Sequence, residues 1–181
     1  MGEIGDKKLV GYKYLKSYQL ATVIYDLSIK FCNKYIDKRS RTHDQMVQSG
    51  RSGKQNIAEG YLEKSLKMYI KLAGVARGSL GELLEDYEDY ARQNNVLVWP
   101  VEKSRGMKEI SEIRQKFLPH HPYIPDLPHS TEEAVNLLIT LINQANYLLD
   151  RQIFSLEQKF ISEGGYSENL LKKRLEEKSK K

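Results

Sequence analysis

The run SGRSGKQNIAEGYLEKS, Ser49 to Ser65, gathers glycines, a lysine and hydroxyls as a phosphate-binding loop does. A nucleotide-cradling loop of the G-x-x-x-x-G-K-[ST] type needs its first glycine six residues before the lysine. It also needs a hydroxyl after the lysine, for magnesium, and a buried strand in front. Here Gln48 stands six before Lys54, and Gln55 follows it. The preceding Lys38 to Val47 is too polar for a buried strand. The run therefore reads as a helix that carries glycines on one face.

Other residues with chemical potential are sparse. His120, His121, Asp126 and His129 share a proline-rich stretch, and imidazoles with a carboxylate suit zinc. Their spacing matches no established ligand motif, so no metal is assigned. Di-iron chemistry in a helical bundle needs Glu-x-x-His pairs on facing helices, and none is present. Glu59 as a general base would need a nucleophile or metal partner, and no His or Cys in its run suggests one. The reading is a protein with no catalytic residues, no cofactor and no enzymatic activity.

These residues must be positioned by helices. In a first helix, at about 12–35, Leu20, Ile24, Leu27 and Phe31 alternate at four and three spacing. Tyr18, Ala21, Tyr25 and Cys32 form a second apolar strip, so this helix should touch two neighbours. In a second helix, about 41–60, Met46, Gly50, Gly53 and Ile57 share one face, with Tyr61 at its edge. Arg41, Gln48, Arg51, Ser52, Gln55 and Glu59 take the opposite face. Interior glycines each cost up to about 1 kcal/mol relative to alanine, which implies a close helix–helix approach.

A third helix, about 65–94, is expected behind a Ser65 N-cap, with Tyr69, Ala76, Leu80, Leu83 and Tyr87 in heptad-like order. Its back carries Gly74, Gly78 and Gly81, read as a second packing surface for another helix or another subunit. The stretch 95–129 holds all five prolines and has room for a short helix. Ser130 and Glu133 form a capping box for a last helix, about 130–163. Residues 164–181 read as a basic, solvated tail. No alternating strand pattern occurs. The fold class is all-α: an antiparallel up-and-down four-helix bundle, one domain over 12–163, with a long connection before the last helix.

Composition agrees with a single domain that needs no disulfide. Cys32 is the one cysteine, which excludes a disulfide framework and suggests a reducing, cytoplasmic setting. The N-terminal residues lack the apolar run of a signal peptide, and nothing approaches a membrane span. The net charge of +5 is compatible with a polyanion partner. The cations that would meet phosphates are Arg39, Arg41, Arg51, Lys54, Lys64, Lys67 and Lys71.

Two runs carry a family resemblance: Asn56-Ile57-Ala58-Glu59-Gly60, and Ala76-Arg77-Gly78-Ser79-Leu80-Gly81-Glu82-Leu83. In this order they resemble the four-helix bundle proteins encoded in 23S ribosomal RNA intervening sequences. Those proteins are related to the accessory variability proteins of diversity-generating retroelements. The resemblance covers about Tyr12 to Asn95. The turn IDKRSRTHDQM departs from the family's proline-rich, glutamate-containing stretch, and the connection before the last helix is longer.

The resemblance implies a homopentamer without known enzymatic activity, and relatives that bind a reverse transcriptase and nucleic acid. Two functions are expected, the first of them lifted by the resemblance. The protein binds RNA or single-stranded DNA through its basic surface, or it is an interaction module that presents an oligomeric surface to a protein partner. Glu59 and Arg77, the charged pair within the two runs, are read as a structural ion pair across helices or subunits, bridged or capped by Asn56.

Overall fold

A computed structural model describes residues 11–116 and 122–180. After a 3₁₀ turn at Tyr12–Tyr14, α1 runs over Lys16–Tyr35, α2 over Arg41–Leu62 and α3 over Leu66–Gln93. Two short helices follow, α4 at Val101–Arg105 and α5 at Lys108–Gln115. The long α6, Thr131–Glu163, and a final α7, Tyr166–Ser179, complete the chain. The described residues are helical with no strand.

α2 packs on α1 and α3, and α6 also packs on α1 and α3. Each interface follows from an apolar face. Leu20, Ile24, Leu27 and Phe31 of α1 are buried, as are Ala21 and Cys32 of its second strip. They meet Met46 and Ile57 of α2, Leu80, Leu83 and Tyr87 of α3, and Leu137, Leu138 and Leu141 of α6 in one core. Tyr87 is buried whole, and its hydroxyl donates to Ser28 Oγ at 3.0 Å. Burial raises its ionisation well above the ordinary range. Burial also pushes the Cys32 thiol up to about 12, which leaves it protonated and inert at neutral pH.

The contacts between helices fall in register. Cys32 Sγ lies 4.0 Å from Met46 Sδ. Ser17 Oγ donates to Gln152 at 2.7 Å, and Tyr35 OH donates to the His129 carbonyl at 3.1 Å. Ala134 to Ile142 of α6 are buried without a break, because α4 and α5 cover the side that α1 and α3 leave open. Farther along, α6 emerges from the core, and Phe154 and Ile161 are exposed.

Several local features differ from the sequence expectation. The stretch 95–129, expected to have room for one short helix, holds two among its described residues, α4 and α5, divided at Gly106. The expected tail is the helix α7, none of whose residues is buried. α6 and α7 are separated by Gly164, whose φ of 76° favours glycine. Ser65 sits at the N-cap of α3 but its side chain makes no capping hydrogen bond. Ser130 Oγ accepts from Glu133 N at 3.4 Å, so only that half of the expected capping box is present. Ser40 caps α2 by accepting from Thr42 N at 3.1 Å.

Candidate nucleic-acid interface

The two signature runs face each other across the α2–α3 interface. Ser52 Oγ and Ser79 Oγ are 2.9 Å apart. Asn56 Nδ2 donates back to the Ser52 carbonyl at 2.9 Å. Ser52 is therefore turned towards α3 rather than sharing the outer face with Arg51. It follows Arg51 by about 100° around the helix, enough to move it to the flank.

The glycines of α2 fill the seam. A Cβ on Gly53 would lie 2.7 Å from Leu80 Cδ2, and one on Gly60 would lie 2.9 Å from Tyr69 Cδ2. The glycines of α3 contrast with them. Gly74 and Gly78 have nothing within 4 Å of a built Cβ, and Gly81 meets only the end of Arg77 at 3.5 Å. Among the described residues no helix packs closely on Gly74 or Gly78, which speaks against the helix-packing half of the expectation. Both face outward, with Val75 exposed beside them.

Glu59 and Arg77 do not pair within the chain. Arg77 Nε donates to Asp150 Oδ1 at 3.0 Å, tying α3 to α6. Glu59 is exposed and has no ion-pair partner among the described residues. Arg77 lies on the α6 side of α3, while Ser79, two residues on, takes the α2 side. Asn56 is engaged with Ser52 and bridges neither charge.

The seven basic residues fall into different settings. Arg39 pairs with Asp37 at 3.6 Å. Arg41 shares a shallow depression with Asp44, Glu82 and Asp86. Burial raises the Asp86 carboxyl above its usual range, and Glu82 and Asp89 raise it further, so this end of α2 is an acidic setting. Lys54 Nζ lies 4.7 Å from the centre of the Tyr25 ring and is only half exposed. Arg51, Lys64, Lys67 and Lys71 are exposed and without ion-pair partners among the described residues. Three of these sit at or just past the α2–α3 turn. Arg41 lies at the other end of the 22-residue α2. That separation is roughly 33 Å at helical rise.

In the proline-rich stretch, His120 and His121 lie outside the described residues. Asp126 pairs with Lys30 at 3.8 Å, and the His129 carbonyl accepts from Tyr35. Among the described residues no cluster of three or more His, Cys, Asp or Glu could hold a metal. No helix among them is long and apolar enough to cross a membrane.

The family model for the 23S rRNA-intervening sequence protein matches residues 12–116, more than half of the 181 residues. The chain belongs to that family. No curated protein and no solved structure matches it. The family segment spans α1, α2 and α3, with both glycine sets and all seven basic residues. It ends just after α5. Although α6 lies beyond the matched segment, it supplies the Asp150 partner of Arg77 and a large part of the core.

Proposed function

We propose that this protein is a non-enzymatic, oligomeric helical-bundle protein that binds RNA or single-stranded DNA through basic surface. The reading has the four long helices, α1, α2, α3 and α6, arranged as an antiparallel up-and-down bundle. Ser17 near the start of α1 touches Gln152 far along α6, while Tyr35 at the end of α1 touches the entry to α6. Gly53 approaches Leu80 while Gly60 approaches Tyr69, so α2 and α3 also run in opposite senses. Such bundles assemble side by side, and the bare Gly74–Gly78 surface is where another copy comes close. A homopentamer is the assembly that the family resemblance implies.

The observation that carries the binding reading is the set Arg51, Lys64, Lys67 and Lys71, exposed and without ion-pair partners among the described residues. Each phosphate contact releases counterions, so affinity should fall steeply with salt. The family's description by a ribosomal RNA intervening sequence is consistent with an RNA-related role. The test is retardation of a labelled RNA oligonucleotide and its DNA counterpart over a salt series. Lys64→Glu with Lys67→Glu should abolish the shift in both, and Arg41→Glu should change it little. An absence of binding by the native protein at low salt overturns the reading.

Leu62, Met68 and Val75 are exposed around the same end of the molecule and favour a second reading. In it, the oligomer is a docking or scaffolding module for a protein partner. Nuclease treatment separates the two, since captured partners are released only where nucleic acid joins them.

A further inference from the structure

Away from the α2–α3 surface, a groove of about 930 Å³ opens between the start of α1, the α4–α5 pair and the middle of α6. That volume lies within the ~300–1,000 Å³ usual for small-molecule sites. Its floor is aliphatic, including Leu20, Ile110, Ile113, Ile139 and Leu148. Lys16, Arg105 and Arg114 line it from three different helices. None of the three has an ion-pair partner, and no carboxylate lines the groove, among the described residues.

The remaining polar groups sort into satisfied and unsatisfied. Asn136 is consumed: its Oδ1 accepts from Trp99 N at 2.7 Å, and its Nδ2 donates to the Leu97 and Glu132 carbonyls. These bonds hold the segment after α3 against α6 and so build one wall. Thr140 Oγ1 donates to the Asn136 carbonyl, and Asn143 Nδ2 to the Ile139 carbonyl. Gln144 Nε2 is buried without a partner. Buried donors are rarely left so in folded proteins. Among the described residues the groove is thus rich in unmet donors: two guanidinium groups, an ammonium and the Gln144 amide nitrogen, around an aliphatic floor.

We propose that this groove binds a single-headed amphipathic anion, an aliphatic chain ending in a carboxylate or a phosphate. The chain covers the floor, and the head takes charge-assisted hydrogen bonds from Arg105 and Arg114. The site is independent of the nucleic-acid surface, which lies on α2 and α3.

Trp99 is the one tryptophan of the chain and lines the groove, so its fluorescence reports occupancy. The probes are dodecanoate, dodecyl phosphate and dodecanol, each below its aggregation limit, with calorimetry as a second readout. Saturable binding is expected, with an anion preferred over dodecanol by about tenfold or more. The tighter of the two anions identifies the head. Arg105→Ala with Arg114→Ala, both exposed and without ion-pair partners among the described residues, should remove that preference while the helical circular dichroism stays unchanged. Asn143→Phe should block binding of all three probes.

No saturable binding by either readout overturns the proposal. So does equal affinity for dodecanol and the anions, or a preference that survives the double variant. Displacement of dodecanoate by a short RNA would also overturn it, by assigning the groove to the polymer.

Discussion

α2 and α3 both carry glycines in mid-helix, and the two sets have opposite surroundings. Gly53 and Gly60 are buried where α3 side chains occupy the place of a Cβ. Gly74 and Gly78 look into open space. The helical penalty of up to about 1 kcal/mol per glycine is the same in both. In α2 it is offset inside the chain, by the approach of Leu80 and Tyr69. In α3 nothing among the described residues offsets it. A glycine with no neighbour marks a surface whose neighbour belongs to another molecule, or one where alanine would do better.

The largest effect should come from filling the α2 seam. Gly53→Leu drives a branched side chain into Leu80, and overpacking of this kind costs about 1–3 kcal/mol or more. Chemical denaturation should show that loss. An unchanged midpoint would break the comparison on its α2 side.

Next comes the α3 surface. Gly74→Ala and Gly78→Ala should each add about 1 kcal/mol to the stability of the separated chain, by helix propensity alone. Denaturation at a concentration where chains are dissociated measures this. A loss instead would mean that a contact within the chain needs those glycines.

Arg77→Ala tests the link from α3 to α6. Its pair with Asp150 is partly exposed, so the expected cost is about 0–1 kcal/mol. Asp150→Ala should cost the same, and the double variant little more. If Glu59→Ala instead matched Arg77→Ala and failed to add to it, the partner would be Glu59 of another copy.

The smallest effect is in pH. The Asp86 carboxyl is raised by burial first and by Glu82 and Asp89 after it. Between its unfolded and folded ionisation ranges, the native state holds more proton than the unfolded one. Stability from this group therefore falls as pH rises through the folded range and is greater below it. Asp86→Asn should flatten that slope and raise stability at neutral pH. A slope of the opposite sign would contradict the acidic setting assigned to this end of α3.

The α2 seam was legible because period and residue type coincide: Met46, Gly50, Gly53 and Ile57 fall on one face and are small or apolar. The core positions of α1 and α3 could be read for the same reason. Pair partners could not. Arg77 takes Asp150, 73 residues away, and spacing carries no trace of that choice. α7 was hidden because charge dominates its residues and no buried face imposes a period. Among the basic residues, sequence marked which were cations but not which were free. The Asp37 beside Arg39, the acids around Arg41 and the Tyr25 ring under Lys54 emerge only with the packing. The groove at α4–α6 escaped entirely, since its walls come from three separated segments.

The central claim is that the bare α3 surface joins copies of this chain, and the mass in solution tests it most directly. Light scattering should give a homopentameric mass for the native protein. Gly74→Leu with Gly78→Leu should give a folded monomer. A native monomer, or a double variant that keeps the native mass, would contradict the claim.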